Sequence, residues 1–227
     1  HLLFFTNAGK VYRVPAYEVP EGTRVSKGKI IFNFLSLSQS ESVTSMLSIP
    51  PEGKKQAADA VSPEYSKYVQ ADGAYIVMIT KKGIIKKVGR DEFENVRRSG
   101  LIAIGLKKDD ELHWAHLTGG NDEIIIVTRA AQSVRFSEKD VRAMGRQAGG
   151  VKALRLKKDD EVVGMDVINN QLPVTSNLKL LVVMENGYGK HTLLKQYKKQ
   201  RRGGSGIKTA KVTAKTGHVV GAKVFSD

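Results

Sequence analysis

Four short apolar runs punctuate the chain, at Leu2-Leu3-Phe4-Phe5, Ile76-Val77-Met78-Ile79, Ile124-Ile125-Ile126-Val127 and Leu180-Leu181-Val182-Val183, each closed by Thr6, Thr80, Thr128 or Met184. They are rich in Ile, Val and Phe and bounded by Gly, Asn or Asp, a pattern that predicts strands buried on both faces. Three residues past each closing residue stands a turn residue: Gly9, Gly83, Ala131 or Gly187. Six and seven residues past it come Tyr12-Arg13, Lys86-Lys87, Val134-Arg135 and Lys190-His191. Each copy therefore predicts a strand, a tight turn and a returning strand that carries cationic side chains.

The second half of the unit repeats as well, as Arg24-x-x-x-Gly28, Arg97-x-x-Gly100, Arg146-x-x-x-Gly150 and Arg202-x-x-x-Gly206. A third segment, Leu-Lys-Lys-Asp-Asp-Glu, occurs twice, at residues 106–111 and 156–161, and its 50-residue step sets the length of one unit. Units of that size holding about four short strands match propeller blades. The expected fold is all-β, four-stranded blades arrayed around an axis, with four repeat units at about 1–49, 74–120, 121–172 and 177–227. The stretch from about Pro50 to Gly73, absent from the other copies, is read as a peripheral surface loop or short helix. None of the apolar runs is long enough to span a membrane, and no segment resembles a signal peptide.

Charge then narrows the partner. Lysine and arginine number 37 against 23 acids, a net charge of +14. Residues 185–227 hold ten cations and two acids, more than half of the excess. Such a surface suits a polyanion, nucleic acid first. The cations also recur in register. Blades related by rotation would set Arg13, Lys87 and Arg135 on one rim, facing a duplex that carries a charge every ~1.7 Å along its axis. The expected mode is wrapping without base reading, phosphate contacts offsetting a bending cost of about 1–6 kcal/mol.

The candidate contacts are Arg13, Arg24, Lys27, Lys86, Lys87, Arg97, Arg98, Arg135, Arg142, Arg146, Lys190, Lys198, Lys199 and the run Gln200-Arg201-Arg202-Gly203-Gly204-Ser205-Gly206. In that run the glycines would let main-chain N–H groups cradle phosphate oxygens. Arg201 and Arg202 would add bidentate contacts.

Catalysis finds little support. Gly-Lys pairs occur at Gly9, Gly28, Gly53 and Gly189, none followed by Ser or Thr, so no Walker A loop is present. The chain has no cysteine, which removes thiolate nucleophiles, zinc-thiolate sites and disulfides. His113 and His116 stand three apart in a presumed strand and point to opposite faces. The acid triplets Asp109-Asp110-Glu111 and Asp159-Asp160-Glu161 are read as turns that keep polyanions off their face. Tyr12 is read as a blade residue. No metal or cofactor site is expected here.

The string Gln200 to Gly206 resembles the Gln-Arg-Arg-Gly-Gly-Lys-Gly box of the DNA gyrase A subunit, with Ser205 in place of the lysine. Residues 7–13 and 16–21, Val141 to Arg146 and Glu185 to Lys190 agree too, so the resemblance covers nearly the whole chain outside 50–73. It implies the C-terminal domain of that polypeptide, a β-pinwheel, usually of six blades, whose blades share strands and whose basic perimeter wraps double-stranded DNA. It also implies an ATP-hydrolysing type IIA topoisomerase of the bacterial cytoplasm and nucleoid. ATP, Mg²⁺ and strand cleavage would then belong to the gyrase B subunit, together with the N-terminal region of the gyrase A subunit. The isolated domain is expected to be monomeric, and the family's principal box is expected in a blade preceding His1. The corresponding domain of the topoisomerase IV A subunit is an alternative, as is a propeller-like scaffold for acidic proteins.

Overall fold

In a computed structural model of the chain, residues 1–49, 74–169 and 177–226 are described. The 50–73 stretch read as an insertion lies outside them. The apolar runs are strands, as their composition requires: β1 (Leu2–Thr6), β4 (Tyr75–Thr80), β8 (Glu123–Thr128) and β12 (Lys179–Met184). Each turns back into an antiparallel partner, β2 (Lys10–Val14), β5 (Ile84–Gly89), β9 (Gln132–Ser137) or β13 (Gly189–Leu193). On its other side each pairs with β3 (Val43–Ser48), β7 (Leu112–Thr118), β11 (Val162–Ile168) or β15 (Val219–Phe225). The remaining strands are two residues long: β6 (Leu101–Ile102), β10 (Val151–Lys152) and β14 (Ile207–Lys208).

These short strands do not join the sheet of their own unit. β6 of the second unit pairs with β2 of the first, β10 of the third with β5 of the second, and β14 of the fourth with β9 of the third. The sheets are therefore β3-β1-β2-β6, β10-β5-β4-β7, β11-β8-β9-β14 and β13-β12-β15. Three blades have the expected four strands, each finished by the following unit, and the fourth has three among the described residues. Each of the four-stranded blades thus crosses from one sequence unit into the next.

Each tight turn runs through the left-handed region at the residue three past the run: Gly9, Gly83, Ala131 and Gly187, at φ 72°, 75°, 62° and 79°. A Cβ on Gly9 would stand 2.7 Å from the Ile104 carbonyl oxygen, and one on Gly83 2.9 Å from a Leu154 methyl. Ala131 sits where the matching residue of the lent segment is the smaller Ala210, since Thr209 N–H bonds the Ala131 carbonyl as Ala103 and Ala153 bond Gly9 and Gly83. The third unit's turn thus has room for a methyl.

The acid triplets are turns, as read. The Asp110 carboxylate accepts the Lys82 N–H at 3.0 Å, and Asp160 accepts Thr128 Oγ1 at 2.7 Å and the Ala130 N–H at 2.8 Å. Their preceding residues Asp109 and Asp159 take positive φ. Glu41 holds the same place in the first unit, accepting Thr6 Oγ1 and the Tyr12 hydroxyl. Burial, then the Glu41 charge, pushes the Tyr12 hydroxyl up to about 12.

The core lies at the junctions between units. Leu3, Phe5 and Val11 pack with Ile76, Met78 and Phe93, Val77 and Ile79 with Ile124, Ile126 and Phe136, and Ile125 and Val127 with Leu180, Val182 and Tyr197. Strand β8, flanked on both sides, is buried along its whole length. In β1 and β12 burial largely alternates.

Where a lent segment reaches its host, the backbones come close. A Cβ on Gly150, at φ 81°, would stand 2.6 Å from the Ile85 carbonyl oxygen. Gly28, at φ 66°, meets nothing within 4 Å. Gly28→Ala is expected to cost only the left-handed penalty of about 1–2 kcal/mol, and Gly150→Ala that penalty plus the clash. Urea unfolding of the two variants measures the difference; equal losses would mean that the lent segment yields without cost.

Candidate nucleic-acid interface

To lend a strand backwards, the chain must travel from the second strand of its own unit across to the preceding blade. It does so in an arm, residues 90–100, 138–150 and 194–206 in the second to fourth units. Each arm begins with one 3₁₀ turn, Arg90–Phe93, Glu138–Asp140 or Leu194–Gln196. It is then anchored by a buried side chain, Phe93, Val141 or Tyr197. The third and fourth arms next run parallel to the preceding unit's second strand, Met144 N–H bonding the Lys87 carbonyl at 2.9 Å and Gln200 N–H the Arg135 carbonyl at 2.8 Å. Each of these two arms is also tied to the segment just past the preceding unit's lent strand, Gly105 N–H donating to the Ala148 carbonyl at 3.1 Å and Arg155 N–H to the Gly204 carbonyl at 2.9 Å. Three units thus contribute to one continuous strip.

The cations of this strip divide into two sets. One faces inward. Lys86 is fully buried, its ammonium donating to the Ala103 carbonyl at 2.8 Å and to the Arg146 carbonyl. Burial pushes its pKa down to about 8; nearby Glu92 opposes that shift and Arg146 adds to it. Lys87 is buried, donates to the Glu138 carbonyl at 3.1 Å and lies 4.8 Å over the Tyr75 ring; burial lowers its pKa too. Arg135 donates to Glu123 at 2.6 Å and to the Leu194 and Tyr197 carbonyls at 2.9 and 3.3 Å.

The reading of Lys86, Lys87 and Arg135 as phosphate-facing rim residues is therefore corrected. Carbonyl oxygens have two lone pairs, and on this strand Lys87 and Arg135 add a second donor to the Glu138 and Leu194 carbonyls of the next unit's 3₁₀ turn, while Lys86 bonds the Ala103 and Arg146 carbonyls. Arg13, the matching residue of the first unit, is half-buried.

The arginines of the Arg-Gly element also reach back. Arg146 bonds Glu92 at 3.0 Å, and Arg202 bonds the carbonyls of Asp140 at 2.8 Å and Lys152 at 3.1 Å; in the second unit it is the exposed Arg98, one residue past the element's Arg97, that approaches Glu18, at 3.4 Å. Glu92 and Asp140 lie in the 3₁₀ turn of the preceding unit, so in the third and fourth units the element's arginine pins one arm to the turn before it. Arg202 is thereby engaged, and the Gly203 N–H, expected to cradle a phosphate, donates to the Ala153 carbonyl at 2.6 Å. The glycines serve close approach instead: a Cβ on Gly206 would stand 2.4 Å from the Ser133 carbonyl oxygen. Gln200 and Gly204 are tied down by the backbone bonds already given.

The second set faces solvent. Arg24, Lys27, Arg97, Arg98, Arg142, Lys190, Lys198, Lys199, Arg201 and Ser205 are exposed. Lys199 also approaches Glu123 at 3.1 Å with its side chain about half exposed. To these the structure adds Lys152, Arg155, Lys208 and Lys211, exposed on or just past β10 and β14. Lys152 and Lys208 each stand two residues after the closing glycine of their arm, a shared offset from which they were legible. Against the third arm Glu92, Gly145, Arg146, Gln147 and Ala148 line a hollow of about 350 Å³. Among the described residues no group of three or more His, Asp or Glu is placed to hold a metal ion, and no helix is long and apolar enough to cross a membrane.

Strand-lending blades with a basic outer strip define a β-pinwheel of the propeller type, and the comparisons narrow this. The family model described as DNA gyrase C-terminal domain, beta-propeller, matches residues 1–50, 74–118, 122–169 and 179–226. The chain belongs to this family. The DNA gyrase A subunit of Staphylococcus epidermidis is 41% identical over 220 residues, 97% of this chain, and that of Staphylococcus aureus strain MRSA252 is 40% identical over the same length. The chain spans 22% of the length of these relatives. Among solved structures, the C-terminal domain of DNA topoisomerase IV superposes with a TM-score of 0.81 at 26% identity, over all of this chain and 64% of that one. A DNA gyrase A C-terminal domain superposes at 0.74 and 25% identity, over 99% and 65%.

The inward role of Lys86 sets the sign of a pH effect. Its folded pKa lies below the unfolded 10.5, so between about 8 and 10.5 the unfolded chain holds the extra proton and stability rises with pH. Lys86→Met leaves two carbonyls without their donor, at about 1–3 kcal/mol each. The stability gap between wild type and this variant should widen in favour of wild type from pH 7 to 10, measured by denaturant unfolding. A gap independent of pH would place the ammonium in water.

Proposed function

We propose that this chain binds double-stranded DNA along its strip of joined arms and wraps it without reading sequence, as the C-terminal domain of a DNA gyrase A subunit. The observation that carries this reading is the strip itself, successive arms linked by backbone bonds through the segments that follow β6 and β10, with Arg97, Arg142, Lys198 and Arg201 exposed along it. Exposed guanidinium and ammonium groups in series neutralise phosphates and release counterions, and carry no base information. Pinning of each arm to the preceding one fixes the spacing of those charges, so a duplex must follow the strip and bend with it. The wrapped segment would support negative supercoiling by an ATP-driven type IIA topoisomerase in the bacterial nucleoid. Strand cleavage and the ATP and Mg²⁺ chemistry would reside in the gyrase B subunit, together with the N-terminal region of the gyrase A subunit, since no Gly-Lys pair here continues into Ser or Thr.

The match to a topoisomerase IV domain at a TM-score of 0.81 favours a second reading, in which the same surface holds DNA for decatenation and bends it less. Sealing nicked plasmid with ligase in the presence of the chain separates the two: a positive linking-number shift is expected for a chiral wrap, and binding without a shift supports the second. If about six phosphates are contacted, log K should fall against log salt with a slope near −5, from about −0.9 per contact. Arg142→Ala and Arg201→Ala should each make the slope shallower by about 0.9, whereas Lys86→Met should leave it unchanged. A slope that Arg201→Ala does not alter would remove the box-like loop from the contact surface.

A further inference from the structure

Charge is distributed unevenly across the width of the strip. Each arm leaves its own second strand at one end, in the 3₁₀ turn that directly follows β5, β9 or β13. It delivers its lent strand to the other end of the host, at Lys10-Val11, Ile84-Ile85 or Gln132-Ser133, beside the tight turn. The strip therefore has two edges, separated by a strand length of about 17–20 Å.

The 3₁₀ edge is acidic in the second and third units. Their turns expose Asp91, Glu92 and Asp140 against Lys139, with Arg90 and Glu94 half-buried. A surface of that sign repels phosphates.

The tight-turn edge carries the repeated segment at residues 106–111 and 156–161, which crosses from the lent strand to β7 or β11. By composition this segment is acidic, two lysines against three acids. The fold reverses that sign at the surface. Asp110 accepts the Lys82 and Glu111 N–H groups at 3.0 and 2.9 Å, and Asp160 accepts Thr128 Oγ1 and the Ala130 and Glu161 N–H groups. Glu111 is bonded to His113 at 3.0 Å, and Glu161 meets Lys81 of the preceding unit at 3.2 Å. What each copy leaves fully exposed is a lysine pair, Lys107-Lys108 or Lys157-Lys158, with one acid, Asp109 or Asp159. Both copies lie in units with a neighbour on either side, and each stands at the same place in its junction.

We propose that the duplex is seated off centre on the strip, displaced toward the tight-turn edge, with phosphates of one strand on the exposed cations of the arms and phosphates of the other, across a groove, on Lys107-Lys108 and Lys157-Lys158. This seating rests on the DNA reading above and adds the direction in which the duplex leans. B-DNA sets its two backbones about 6 Å apart across the minor groove and about 12 Å across the major, so a single row of cations meets one strand and a second row is needed to hold the other. Lys152 and Arg155, exposed between the third arm and its turn, make the rise in positive charge continuous toward this edge. On this seating the acid triplets do not keep polyanions off their face, as composition suggested. Two of the three acids in each hold the turn to its neighbours, and the lysines meet the duplex.

The test is the salt dependence of binding to one short linear duplex. Lys107→Ala, Lys108→Ala, Lys157→Ala and Lys158→Ala combined remove one phosphate contact at each pair, so the slope of log K against log salt should become shallower by about 1.8, at about 0.9 per contact. The comparison is Lys139→Glu with Lys195→Glu, on the 3₁₀ edge, which lowers the net charge of +14 by the same amount and should leave the slope unchanged. All six side chains are exposed, so neither variant disturbs the fold. Equal shallowing in both would mean that net charge alone acts, and an unchanged slope in the first would leave the turn lysines in free solution; either overturns the off-centre seating. Sedimentation with excess duplex tests the other source of phosphate. If the wild-type chain takes up two duplexes and the turn variant one, with the slope for the first duplex unaltered, the lysine pairs serve a second duplex and the seating is again overturned. A wild-type slope near zero would remove the DNA reading itself, and the seating with it.

Discussion

The backward loan of a two-residue strand from each unit to the one before it is the constraint on which the rest of the molecule depends. Two residues of ladder contribute few hydrogen bonds, so the loan holds only because the arm carrying it is fixed along its length. A buried anchor lies at the end of the 3₁₀ turn or directly after it, the third and fourth arms run parallel along the host strand, and a glycine then lets two backbones approach closer than a Cβ would permit. The outer strip is a by-product of this route. An arm that must cross from one blade to the preceding one has to run over the perimeter, and whatever side chains it does not use for anchoring are left facing outward in series.

The same route explains how a chain with so many cations distributes them. At the junctions of the second with the third and the third with the fourth unit, a short 3₁₀ turn presents a carbonyl oxygen that Lys87 or Arg135 bonds, and Lys86 bonds the carbonyls of Ala103 and Arg146. Burying a cation is costly, and the depressed pKa of Lys86 is the visible sign of that cost. It is tolerated because the buried ammonium is itself bonded, to the Ala103 and Arg146 carbonyls. Arginine serves where two or three acceptors must be reached at once, as Arg135 and Arg202 do, and lysine where one or two lie close.

Much of the fold was legible because its signals are local. The apolar runs, the turn position three residues past each, and the acid turns all depend on neighbouring residues, and even Ala131 stands where the repeat places a left-handed residue. The burial of β8 on both faces followed from its unbroken Ile and Val. The loans entered only through the resemblance, which implied shared strands, and not from the residue pattern: Leu101–Ile102, Val151–Lys152 and Ile207–Lys208 are too short for a period to declare itself, and their partners lie in another unit. The site was misread where a partner is backbone. Register revealed that Arg13, Lys87 and Arg135 are equivalent, but a carbonyl acceptor leaves no mark in sequence, so the equivalence did not tell which way these side chains point.

Because every loan runs in one direction, the units are not interchangeable in what their loss would do. If the fourth unit melts, it withdraws β14 and Tyr197 from the third, whose β9 edge and apolar face are then laid open; melting of the first unit deprives its neighbour of a host but of no strand. Loss of order should therefore travel more readily from the high-numbered end toward the low-numbered end than the reverse, so that the array behaves as a ratchet with a preferred direction of fraying.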